Sequence, residues 1–535
     1  MLHVVVVGSG ASAVHLAQSV LERGGRVTLL DVGREGPPPV RPDSGFAALK
    51  REMDDPAAYF LGARFEGVLW PGQPGEYYGI PPHKSYVFEG APRHRLGTRG
   101  FEPLASFGQG GLAQAWTAGV FPFARGEMED FAVPFEELLP YYGLVARRIG
   151  ICGAADDLAR FVPVHEHMDE PLDLDAHSAA LLERYGERKE RLNGRLRCWI
   201  GRSRVAVLRD DRGERRGCTY LGRCLWGCPR DALYTPLATL RRLRGEPGMT
   251  YVPGMWVTHV ELDGAGRAVR AVAEPIGGGA SQAFAGDRIV LAAGTLSSSR
   301  VFLKTALRAG GGAPELPGLM DNRQVLVPFV NRGLVRRQWD TESYQYHQLA
   351  LGLEGEREKE YVHGLITTLK TALIHPIVQR VPLDLRAALA LFRNVHAALG
   401  IVNVNFHDTR RAENGLALEP SADGGAPRLL VRYAPPSDEP RRMGQALRRV
   451  RRALSLLGCS VPPRMSYVRP MGASVHYAGT LPMSATRGPL TTSRDGESHD
   501  FERLFVADGS VLPFLPAKNL TFTLMANAAR IAERL

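Results

Sequence analysis

The chain has 535 residues, 44% of them apolar and 23% charged, with Gly and Pro together at 97 positions. That is enough for a large core, and it excludes collagen-like, low-complexity and disulfide-miniprotein classes. The net charge is +10, but 59 of the 66 basic residues are Arg against seven Lys, a skew that in an Ala- and Gly-rich chain reads as codon bias and predicts no nucleic-acid partner.

Six Cys are too few for a disulfide framework at this length. No run approaches the roughly 20 apolar residues a membrane-spanning helix needs. The start, Met1-Leu2-His3, carries no positive n-region and reads as cytoplasmic.

The β-branched run Val4–Val7 predicts a buried parallel strand. It leads into Gly8-Ser9-Gly10-Ala11-Ser12-Ala13, an amphipathic helix pattern, Gly24-Gly25 and a second strand, Arg26–Leu30, ending at Asp31. This is G-x-G-x-x-A with an acid 23 positions after the first Gly. Gly8 permits the tight turn, Gly10 lets a pyrophosphate approach the backbone, and Ala13 allows close helix packing. Asp31 would accept from a ribose hydroxyl and repel a 2′-phosphate. A dinucleotide is expected; the motif leaves NAD and FAD both open.

Further along come Gly110-Gly111-Leu112-Ala113-Gln114-Ala115-Trp116-Thr117 and Pro140-Tyr141-Tyr142. Cys218, Cys224 and Cys228 lack a fourth ligand at matching distance, so a packed loop is expected and no metal. Met255–Val260 and Arg288–Leu291 read as strands, the second running into Ala292-Ala293-Gly294 and a helix. His407 ends the alternating run Val402–His407, a half-buried strand that either faces solvent or lines a pocket. Arg441–Leu457 reads as an amphipathic helix with a charged outer face. Last come Ser474-Val475-His476, then Gly479-Thr480, the strand Leu504–Val506 with Asp508, and Lys518-Asn519-Leu520-Thr521 before a closing helix.

Taken together, in this order, these blocks resemble the glucose–methanol–choline (GMC) oxidoreductases, a family of FAD enzymes. The resemblance implies an α/β fold: a Rossmann-like FAD-binding domain plus an α+β substrate-binding domain on a central, largely antiparallel sheet. The expected division is 1–45, 205–310 and 466–535 for a discontinuous FAD-binding domain, 46–204 for a flavin-covering segment and 311–465 for the substrate domain.

By the same resemblance, Gly110, Gly111 and Trp116 lie beside the flavin ring and the Val257 backbone holds the adenine. Ala293, Asp508 and Thr521 complete the cofactor site, with the helix amides around Thr521 facing the flavin. His476 and Asn519 match the catalytic pair. Ala115 stands where some members carry the His that links FAD covalently, which implies non-covalent FAD. Lys518 puts a cation next to the expected flavin edge, where it either meets the site or forms a salt bridge.

Alcohol oxidation needs a hydride acceptor and a base. A His with an ordinary value near 6.5 suits the second role, and a polar partner on the same oxygen orients the C–H bond. The expected activity is therefore oxidation of a small-molecule alcohol to a carbonyl, with hydride passing to flavin N5, His476 as base, and oxygen or another electron acceptor closing the cycle. The expected substrate is a sugar, glycoside or other polyhydroxylated compound, natural products and aminoglycosides included. The alternatives are a flavin-bearing lyase or decarboxylase of the same family, or an oxidase of a non-sugar alcohol.

Overall fold

A computed structural model describes residues 1–38, 43–68, 81–88, 95–311, 314–344, 346–379, 381–420 and 427–535. The opening strand, His3–Val7, buries Val4, Val5, Val6 and Val7 on both faces, as a central parallel strand must. It pairs in parallel with Arg26–Leu30 on one side and Arg288–Leu291 on the other. The sheet grows outward to Met249–Val252 and to Leu504–Val506, in the spatial order 504–506, 288–291, 3–7, 26–30, 249–252, all parallel. Five strands from the start, middle and end of the chain thus make one Rossmann-like sheet. Helices Ala11–Glu22 and Thr521–Ala532 pack against each other on it, their Ala13, Ala17 and Ala528 giving the small contact surface this closeness needs.

The second large sheet is antiparallel. Its order runs Cys459–Ser460, Gln324–Asn331, Leu399–Asn405, Val362–Thr368, Leu349–Leu353, Cys198–Arg202, with Tyr467–Val468 also pairing to Gln324–Asn331. Helices Ala176–Leu196 and Glu439–Leu456 pack together over the same core. The latter is the expected amphipathic helix, burying Leu447, Val450 and Leu454 with its arginines elsewhere.

The partition differs from the block boundaries in two places. Cys198–Arg202 and the helix before it, placed by sequence in the covering segment, belong to the antiparallel sheet, because Cys198 and Ile200 are buried against its core. Tyr467–Val468, placed in the FAD-binding domain, is an edge pairing of that sheet. The segment 46–204 also contributes Leu96–Arg99, which runs parallel to Arg428–Arg432. Among the described residues, no helix is long and apolar enough to cross a membrane.

Candidate active site

One long cleft runs from the first strand–helix turn to the start of the last helix, enclosing about 1330 Å³ with its open mouth included. Gly8, Gly10, Asp31, Gly110, Gly111, Val257, Ala293, Asp508 and Thr521 all line it, and so does His476. Ala13 sits one turn behind, fully buried in helix packing. Trp116 does not line the cleft; it is half-buried and donates from Nε1 to the Tyr234 carbonyl at 2.8 Å.

The cleft's walls suit a dinucleotide on structural grounds. Gly8 has φ +103°, and a Cβ there would stand 2.7 Å from the Ala292 carbonyl oxygen. Strand and turn can close only on a glycine. A Cβ on Gly10 would meet nothing within 4 Å, so this backbone faces open space. The helices starting at Ala11, Thr295 and Thr521 have no side-chain cap, and their first residues line the cleft. Their free amides present partial positive charge to an anionic ligand.

Asp31 accepts from Ser9 Oγ and, at 3.3 Å, from the Tyr251 hydroxyl; burial pushes its carboxyl up to about 7. Asp508 holds the cleft wall together. Its Oδ2 accepts from Gly294 N at 2.9 Å and Ser298 Oγ at 2.5 Å, and its Oδ1 from Ser510. The residues present fit FAD.

At the cleft's inner end, His476 Nδ1 meets Asn322 Oδ1 at 2.8 Å, and His476 Nε2 faces Asn519 Nδ2 at 3.5 Å. Asn322 turns its amide nitrogen to two carbonyls, Phe406 O at 2.8 Å and Pro516 O at 3.0 Å. A carbonyl can only accept, so Nδ2 must lie there and Oδ1 must face the imidazole. Oδ1 in turn can only accept, so His476 carries its proton on Nδ1. Nε2 is left as a lone-pair acceptor aimed toward Asn519. Burial, with Arg469 adding repulsion, pushes His476 down to about 4, so the ring is neutral.

The backbone that presents His476 is strained. Val475 has φ +57°, a left-handed conformation that a β-branched residue rarely adopts. Asp321 anchors the turn, accepting from Gly472 N at 2.6 Å and from Ser474 Oγ, while Ser474 Oγ accepts from His476 N at 3.0 Å. Neither Asp321 nor Asn322 stood out in the sequence, since an Asp-Asn pair before a strand reads as an ordinary turn.

The two candidates nearest the substrate lie elsewhere. Lys518 is fully buried, donating to Glu127 at 2.5 Å and to the carbonyls of Pro122 and Phe161. All three of its protons are spoken for, and it does not line the cleft. His407 follows its strand into a small separate cavity beside Asp408 and Glu439, accepting from Arg442 at 3.0 Å. Cys218, Cys224 and Cys228 are half-buried against the core. Among the described residues, no group of three or more His, Cys, Asp or Glu is arranged to hold a metal.

Residues 411–528, which carry His476, Asp508 and Asn519, match the GMC oxidoreductase family. The match spans the C-terminal part of the chain. Similarity to relatives extends over almost its full length. Paromamine 6′-oxidase of Streptomyces fradiae is 23% identical, covering 99% of this chain and 90% of the relative. The 6‴-hydroxyparomomycin C oxidase of Streptomyces lividus is 21% identical over the same shares.

Among solved structures, pyridoxine 4-oxidase from Mesorbium loti has a TM-score of 0.60 at 16% identity, covering 100% of this chain and 99% of its own. A formate oxidase variant from Aspergillus oryzae has 0.61 at 12%, covering 99% and 98%. These likenesses establish the fold alone: a Rossmann-like parallel sheet joined to a second, antiparallel sheet.

Proposed function

We propose that this chain is an FAD-dependent GMC oxidoreductase that oxidises a hydroxyl of a polyhydroxylated, sugar-like substrate to a carbonyl, with His476 as base and Asn519 as positioning partner. The observation that carries the reading is the fixed tautomer of His476. A neutral imidazole, protonated on Nδ1 and bare on Nε2, stands at the inner end of the dinucleotide cleft.

Bound in the cleft, FAD supplies the two-electron acceptor for the carbinol hydrogen. His476 Nε2 takes the hydroxyl proton. The Asn519 amide, next to that nitrogen, bonds the same oxygen and limits its rotation. Asn322 holds the ring plane and, through Nδ1, bears part of the positive charge as the imidazole protonates. The cofactor is held without a covalent link: Ala115 stands before Trp116, and the cleft's lining residues include no cysteine. The sugar-like substrate class is favoured by the two aminoglycoside oxidases among the relatives.

The test is anaerobic reduction of the bound flavin, read as bleaching near 450 nm. His476→Ala is expected to keep FAD and lose at least 10²-fold in reduction rate. Reduction at the wild-type rate would remove His476 from the mechanism.

A further inference from the structure

Gly119 packs beside Asn519, the residue that faces His476 Nε2. Its backbone is not in the left-handed region, so glycine is required here for space rather than for conformation. A Cβ at this position would stand 3.0 Å from His347 Nε2, 3.2 Å from Asn519 Oδ1 and 3.2 Å from Phe121 Cε2. Three groups from distant parts of the chain therefore converge on one side-chain-free wedge, and one of them is the positioning partner of His476.

His347 is 1% exposed, and its Nε2 has no hydrogen-bond partner among the described residues. Its neighbour His363 shows the same pattern. It is fully buried, bonded at Nδ1 to the Tyr361 hydroxyl at 2.7 Å, with Nε2 unpartnered among the described residues. The two imidazoles flank Phe121, whose ring centroid lies 4.4 Å from that of His363 and 6.3 Å from that of His347. Burial holds both rings neutral, His347 down to about 3.

A buried polar atom without a partner is costly, and here two such imidazole nitrogens lie about one aromatic ring, one of them beside the contact that Gly119 makes with Asn519. A neutral imidazole nitrogen matches a hydroxyl, which can both donate and accept. It sits beside the wedge rather than at His476 Nε2, so it addresses a second oxygen of the substrate.

We propose that His347 is a substrate-binding residue that, across the Gly119 wedge from Asn519, holds a second hydroxyl near the one being oxidised, so that the site selects polyols over isolated alcohols. The inference rests on the reading of His476 and Asn519 above and deepens it.

The test compares 1-hexanol with 1,2-hexanediol as anaerobic reductants of the bound flavin, a pair differing by one hydroxyl. The wild type is expected to favour the diol at least tenfold in limiting rate over Kd. His347→Phe is expected to remove that preference while leaving 1-hexanol within about threefold. His347→Gln, which keeps a hydrogen-bonding group, should retain most of it. Both variants should keep FAD. A merely structural histidine would slow the two alcohols alike. That result, or a wild type with no preference for the diol or no reduction by either alcohol, overturns the proposal. His476→Ala, run alongside, must slow both alcohols whatever His347 does; if it fails to, the base assignment is wrong and the His347 discrimination stands or falls separately.

Discussion

Asn322 is the residue on which the chemistry of His476 turns. Its amide has one orientation because two backbone carbonyls take its protons, and that orientation dictates which imidazole nitrogen is bare. Replacing it with Leu leaves Nδ1 without an acceptor and frees the ring to flip or change tautomer. Flavin reduction by substrate should fall about 10–100-fold, the range seen when an orienting partner is lost, with a smaller change in substrate Kd.

Asn322→Asp places a carboxylate against Nδ1 and favours the imidazolium. The sign follows directly. A base works only when unprotonated, so the wild-type rate should stay level as pH falls until it nears the His476 value of about 4. In the Asp variant the acid limb should move to higher pH. A pH profile of the reduction rate distinguishes the two; coincident profiles would mean Nδ1 does not sense residue 322.

At the scale of the element, the first strand–turn–helix uses its two glycines for different reasons. Gly8 is required by the fold, with φ +103° and backbone atoms of Ala292 and Ala293 within 2.8 Å of any Cβ. Gly8→Ala should destabilise the protein by roughly 1–3 kcal/mol. Gly10 is required by the ligand, since its Cβ would enter empty cleft. Gly10→Val should leave the melting temperature of the cofactor-free protein nearly unchanged and weaken FAD retention at least tenfold. Equal effects on melting and on FAD in the two variants would refute the distinction.

This element was legible in the sequence because spacing alone encodes it: a β-branched run, two glycines and an alanine at fixed offsets, and an acid at the end of the next strand. The antiparallel sheet was legible only as alternation. Nothing in Cys198–Arg202 announced that it pairs with Leu349–Leu353 across 146 intervening residues, because strand pairing is decided by which edges remain open after collapse.

At the scale of the molecule, the buried histidines set the response to acid. His83, His165, His177, His407 and His476 are held at about 4 by burial and His347 at about 3, while burial also holds His15 and His363 well below the ordinary histidine value. Between these values and the unfolded value of about 6.5, only the unfolded chain takes up the proton. Stability is therefore lost as pH falls from about 6.5 toward 4.

Asp31 and Asp321, raised to about 7, act in the opposite direction, as do the raised Glu127, Asp156 and Asp508. In the folded state these carboxyls keep protons that the unfolded chain releases above about 4. Eight imidazoles outnumber five carboxyls, so the melting temperature should drop as pH is lowered from 6.5 to 5. A melting temperature that is flat or rising over that interval would show that these rings do not stay neutral in the fold.

The sequence by itself marked the walls of the cleft and the candidate pair His476 and Asn519, because both are written as short motifs at fixed spacing. It could not decide what stands behind and beside that pair. Asn322 and His347 stand just before strands of the antiparallel sheet and reach His476 and Asn519 only once the two sheets are packed. Lys518, adjacent in sequence to Asn519, is turned instead toward Glu127. Hydrogen bonds and burial act between neighbours in space, so the orientation and tautomer of His476 were decided by the tertiary structure alone.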